Sequence, residues 1–236
     1  KSEKITFFRK VDKIITEGFT EANIENNYQI ETKNAKYLLN TKELSSKFKS
    51  TIIDNDNKIY YLDEFIYYLD TSLLKGTNVL TITNYNLPKS DKFFFLDGIF
   101  NLKDKTFAAS DTKIHIHKSI FDKEKNDPRI YGASSKGENN LTVINKGIFT
   151  TCQKRDGCPP WTIKSEKIEH DRNKKQIEYK NAFLNVYDIP VFYFPKFFHP
   201  DPTVNRQSGF LRPEINKSNV LGSSLTQPYF KVISDN

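Results

Sequence analysis

The chain has 236 residues, 37% of them hydrophobic and 14% aromatic, enough for one large or two small domains with an aromatic-rich core. The formal net charge is +7, which fits an anionic partner, but the basic residues are mostly Lys, Asn is abundant and Arg is scarce, so compositional bias explains the charge as well. No apolar run approaches the roughly 20 residues of a membrane helix, and Lys1 opens on polar, alternating sequence in place of a signal peptide. Met is absent even at position 1, as expected of a processed or excised chain, so export stays open.

Taken in order, strand signals dominate. Residues 28–32, 58–70, 92–102, 112–117, 161–168 and 182–194 are rich in β-branched and aromatic residues, and several alternate with period two. Turn-like clusters lie at 54–57, 86–91, 125–128, 136–140 and 171–175. The best helical candidate is the short, uncapped 41–48. A loose repeat connects the strands. The order Ile30, Thr32, Ala35, Tyr37 recurs at Tyr60, Leu62, Tyr67, Leu69 and again at Trp161, Ile163, Ser165, Ile168, His170. Each unit reads as a strand, a kink where the inward phase shifts by one, a second short strand and a polar turn. Stacked units of this kind predict an all-β jelly roll or solenoid with a long apolar interior and open edges. From Pro195 the texture changes, prolines accumulate, and residues 220–230 alternate weakly, as expected for the beginning of another domain.

Chemistry-bearing motifs are sparse. Cys152 and Cys158 are six positions apart, off the usual zinc spacing, and His115 and His117 read as ordinary strand residues, so a metal site is disfavoured. No protease-like signature surrounds Cys152, and no phosphate loop, dinucleotide fingerprint or suggestive carboxylate pair occurs. Lys is spread evenly and accompanied by acids, which argues against nucleic acid. A disulfide in an oxidising compartment fits best, with the partner of each cysteine undecided. These readings predict no enzyme, no cofactor and no metal.

Several ordered blocks between Gly147 and Phe230 resemble the OstA family of lipopolysaccharide-assembly proteins. They are GIFTTC (147–152), WTIKSEKIEHD (161–171), NAFLNVYDIPVFYFP (181–195), RQSGFLRP (206–213) and PYF (228–230). Residues 1–146 match only by strand-turn-strand texture. The resemblance implies an open β-jelly roll over 1–200, periplasmic and folded like a taco, and the first two strands of a truncated outer-membrane β-barrel over 201–236. It implies lipopolysaccharide transport: acyl chains inside an apolar groove, then release through a lateral gate of the barrel. The inward groove candidates are Ile30, Tyr60, Leu62, Phe93, Phe95, Trp161, Ile163, Ala182, Leu184 and Val186. Lys near the rim would attract the lipid phosphates. Pro213 and Pro228 fall at the family's gate positions, where a missing N–H weakens strand pairing. The implied partners are lipopolysaccharide, the periplasmic bridge protein LptA by edge-strand addition and the outer-membrane lipoprotein LptE, without nucleic acid. Cys152 keeps a family position, but the family's N-terminal cysteine is missing and Cys158 stands before Trp161 instead. A Cys152–Cys158 bond and a bond from Cys152 to a distant barrel cysteine both stay open. The alternative class is a basic β-module binding nucleic acid or polysaccharide.

Overall fold

The structure is a computed structural model that describes residues 1–24, 28–87, 90–117, 127–138, 140–152, 159–200, 208–210, 214–218, 222–226 and 228–232. One large antiparallel sheet holds β1 (Ser2–Phe8), β2 (Lys13–Ile24), β3 (Tyr28–Lys33), β4 (Lys36–Leu38), β5 (Glu43–Ser46), β6 (Ser50–Asp54), β7 (Lys58–Leu62) and β8 (Glu64–Tyr68). It continues through β9 (Leu73–Thr83), β10 (Lys92–Asn101), β11 (Thr106–His115), β12 (Arg129–Glu138), β13 (Leu141–Thr150), β14 (Trp161–Asp171), β15 (Gln176–Val186) and β16 (Ile189–Pro200).

The pairing divides this sheet lengthwise into two arms. One half of β2 pairs with β3 and the other with β4. The first arm then runs through β6 and β7, the second through β5 and β8, and both rejoin on β9. From β9 to β16 each long strand crosses both arms, so every unit is one V-shaped rung hydrogen-bonded to the next. This is the all-β jelly roll expected from the repeat.

The bend has a sequence cause. Along β9 the inward residues are Leu74 and Gly76, then Val79 and Thr81; along β15 they are Ile177 and Tyr179, then Ala182 and Leu184. Alternation with period two is interrupted by one extra residue at each corner. At five corners that residue is left-handed, on every second rung from β9 onward: Asn34 (φ 49°), Asn78 (47°), Asp111 (45°), Lys146 (50°) and Asn181 (50°). Three of these five are Asn, which tolerates the left-handed region because its short side chain bonds locally. The first corner shows the bond: the Gly18 N–H donates to Asn34 Oδ1 at 2.9 Å.

Small residues and hydroxyls line the inside of the bend, where bulk has no room. Thr32 and Ser50 share a hydrogen bond of 2.7 Å, and Thr112 and Ser135 one of 2.6 Å. A Cβ on Gly132 would fall 2.2 Å from Ile144 Cγ2, and one on Gly147 2.4 Å from Ile168 Cδ1. Residues 41–48 correct the helical expectation: 43–46 form β5, paired on both sides, with Leu44 opposite Tyr37 and Tyr67 on the inner face.

Beyond the large sheet, β17 (Gly209–Phe210) pairs with β20 (Tyr229–Phe230), and β18 (Glu214–Ser218) with β19 (Gly222–Thr226). Both pairings are antiparallel.

The corner makes a direct prediction. Asn34→Ala removes both the left-handed tolerance and the bond to Gly18, and should lower unfolding stability by about 1–2 kcal/mol. Asn34→Gly, which keeps the backbone freedom, should cost less than half of that in urea titration.

Candidate functional site: the slot between the arms

The register places one residue from each rung in a continuous inward row on the first arm. It runs Ala22, Ile30, Ile52, Tyr60, Thr81, Phe93, Ile114, Ile130, Phe149, Ile163, Leu184 and Phe192. At about 4.8 Å per strand it is roughly 50 Å long. The facing row on the second arm runs Ile14, Tyr37, Leu44, Tyr67, Leu74, Phe100, Phe107, Gly137, Thr142, His170, Ile177 and His199.

The two rows meet in two buried clusters. The first joins Ile30, Ile52, Tyr60 and Phe95 on one arm to Tyr67, Leu74 and Phe100 on the other. The second gathers Ile114, Ile130, Phe149, Ile168, Ile177 and Tyr179. Phe93 packs against both. Around it two chambers stay open: one of about 120 Å³ beside Tyr60, Phe95, Phe100 and Phe107, and one of about 350 Å³ over Ile114, Ile130 and Ile144. The smaller falls below the roughly 300 Å³ at which ligand cavities begin, and the larger sits just above it.

The mouth of the V is bridged on one side and charged on the other. Tyr28 donates its hydroxyl to the Leu102 carbonyl at 3.0 Å, from the tip of one arm to the tip of the other. Lys105 pairs with Asp56 in the same sense. Their hydrogen bond, and then their mutual charge, hold the Asp56 carboxyl below and the Lys105 amine above their usual ranges. Both groups are half exposed, so this clasp contributes at most about 1 kcal/mol. Past the clasp, Lys58 from the first arm and Arg172 from the second border both chambers, and Lys175 borders the larger. Among the described residues no ion pair involves these three, and they outnumber the acids Asp54 and Asp91 that also border the chambers, so the mouth is net positive over an apolar floor. Such a slot takes an elongated apolar group with an anionic head.

The sequence-expected groove residues all take inward positions. Ile30, Tyr60, Leu62, Phe95 and Ala182 are buried. Phe93, Trp161, Ile163 and Leu184 are half-buried, and Val186 is 39% exposed at the last rungs. Trp161 meets Phe149 edge-on at 6.1 Å. Cys152 is half-buried and carries no disulfide among the described residues, and its backbone N–H donates to Thr150 Oγ1 at 3.2 Å; Cys158 lies outside the described residues. Among the described residues no cluster of His, Cys, Asp or Glu suits a metal ion. Pro228 stands half-buried just before β20, and Pro213 lies outside the described residues.

Sequence reasoning missed β1, β2, β6, β9, β12 and β13, the last two of which supply Ile130, Ile144 and Phe149, and missed Lys58, Arg172 and Lys175. The strand RIYGASSKGE reads as loop because its inward positions include Gly132, Ser135 and Gly137, chosen for space. The available signal was its one-residue phase shift, Ile130 and Gly132 followed by Ser135 and Gly137.

Comparison with known proteins finds no matching family model. Curated relatives do match. An LPS-assembly protein LptD of Aeromonas hydrophila is 30% identical over 69% of this chain and 19% of its own length. Those of Coxiella burnetii (24% over 77% and 21%) and Hahella chejuensis (33% over 58% and 16%) agree. The chain is a relative of the LPS-assembly protein LptD. It spans about a fifth of the length of the LptD proteins that it matches. The match with the Coxiella LptD covers more of the chain than the motif blocks at 147–230, so the relationship reaches into the earlier rungs.

Buried tyrosines on the slot walls predict an alkaline limit. Desolvation raises the Tyr60 hydroxyl, with Asp54 adding to it, and raises Tyr179 as well. Above a pH of about 10 the unfolded chain releases these protons while the folded chain retains them, so stability falls as pH rises. Tyr60→Phe with Tyr179→Phe should flatten the decline between about pH 10 and 11 in urea titrations, whereas an unchanged slope would place these hydroxyls in water.

Proposed function

We propose that this chain carries lipopolysaccharide toward the outer leaflet of the outer membrane, as the periplasmic part of an LptD protein. The observation that carries this reading is the unbroken inward row, roughly 50 Å long, beneath a mouth bordered by Lys58, Arg172 and Lys175. Acyl chains lie between the arms, away from water, while phosphates stay at the basic tips. The relatives' name supports the cargo. Transport of this kind needs no bond-making chemistry, so the chain acts as a conduit and not as an enzyme.

In this reading residues 1–200 form the periplasmic jelly roll and 201–236 begin the membrane barrel. The free edge of β1, with Ile5, Phe7 and Phe8 exposed, suits strand addition by the bridge protein LptA. The barrel would meet the lipoprotein LptE. Pro213 and Pro228, which cannot donate a ladder hydrogen bond, would weaken the first barrel hairpin and suit a seam that opens laterally.

Organic extraction of the protein purified from its native envelope, followed by mass spectrometry, should release lipid A species. Replacing Lys58, Arg172 and Lys175 together by Ala should weaken binding of purified lipopolysaccharide about tenfold at low salt, and by less as salt screens the charges. Absence of extractable lipid, together with unchanged binding in the triple variant, would contradict the reading.

A further inference from the structure

One atom on the slot wall lacks the partner that its burial demands. Thr81 is 8% exposed, and its Oγ1 is buried without a hydrogen bond. It faces inward in the first-arm row, directly between Tyr60 and Phe93 on the neighbouring strands. It also lines the 120 Å³ chamber, together with Lys58 and Arg172 at the mouth. A buried hydroxyl left unpaired costs about 1–3 kcal/mol. For packing alone, Val would fill the same space without that cost. Two other buried unpaired atoms, Thr162 Oγ1 and Asn185 Oδ1, lie opposite each other on β14 and β15 and border neither chamber.

Position determines what would satisfy Thr81. Lys58 and Arg172 outnumber Asp54 at the mouth and favour an anion. Beyond Phe93 the larger chamber, floored by Ile114, Ile130 and Ile144, favours hydrocarbon. Thr81 sits at the transition, one strand before Phe93. We propose that Thr81 is a binding residue that donates a hydrogen bond to the carbonyl oxygen joining an acyl chain to its anionic head, and that it thereby sets how deep each chain sits. Pure hydrocarbon cannot make this bond, so the slot distinguishes acyl chains from plain alkyl chains at this rung. The inference rests on the reading of the slot as a path for acylated anions and adds a chemical requirement to it.

Two defined probes of equal chain length test it on the whole chain: dodecyl phosphate, which has no carbonyl, and lauroyl lysophosphatidic acid, which has an ester. The wild-type protein should bind the acyl probe about fivefold more tightly. Thr81→Val should bring the two affinities within twofold by weakening only the acyl probe, and Thr81→Ser should restore the preference. Because the hydroxyl is unpaired, Thr81→Val should keep or raise the thermal midpoint, which separates loss of a ligand bond from loss of fold. A preference that survives in Thr81→Val overturns the role of Thr81 and leaves the transport reading standing. Failure of both probes to bind the wild-type chain overturns both.

Discussion

Everything in this molecule depends on keeping an apolar row continuous while the strands bend. A strand presents alternate residues to its two faces, so a bent strand that kept strict alternation would turn one arm's apolar face out to water. The single extra residue at each corner prevents this. It brings Ile177 and Tyr179 on one arm and Ala182 and Leu184 on the other to the same interior, and the neighbouring rungs do likewise. The cost is concentrated at the corners, where left-handed residues such as Asn78 and Asn181, and hydroxyl pairs such as Thr112 with Ser135, absorb the change of direction.

The same rows therefore serve as core and as candidate path. Where large aromatics from both arms interlock, as Tyr60 and Phe100 do at 5.8 Å, the interior narrows to a chamber of about 120 Å³ and the mouth is bridged above it. Where the aliphatic floor of Ile114, Ile130 and Ile144 takes over, the arms leave a chamber and the tips turn basic. Burying each of these isoleucines stabilises the fold by about 1.5–3 kcal/mol. An apolar guest would replace contacts of similar kind, so entry need not be opposed by loss of polar bonds within the walls.

Much of this was legible in the sequence, because hydrophobic phase is a local property. The shift between Thr32 and Ala35, between Leu62 and Tyr67, and between Ser165 and Ile168 marks three corners directly. Of the strands that escaped notice, β12 and β13 did so because their inward positions hold glycine or serine. Ile144 fills the space that a Cβ on Gly132 would take, and Phe107 that of Gly137 opposite it, so apolar bulk on one strand forces its absence on the next. The residues 41–48 misled for a related reason: one inward Leu44 in a short polar stretch carries too little period to separate helix from strand. The basic mouth was not legible, since Lys58 and Arg172 are far apart in the chain and are brought near each other only by the register of the intervening strands.

The central claim is that the interior, and not the outer surface, carries the lipid. Ile130 and Tyr131 are neighbours on β12 with opposite faces, Ile130 inward in the row with Ile114 and Phe149, and Tyr131 outward beside Lys113 and Ile148. A photo-activatable amino acid placed at each position in turn, in cells making the full-length protein, tests that claim most directly. The account predicts a lipopolysaccharide adduct from position 130 and none from position 131. Adducts of equal yield from both, or from position 131 alone, would contradict it.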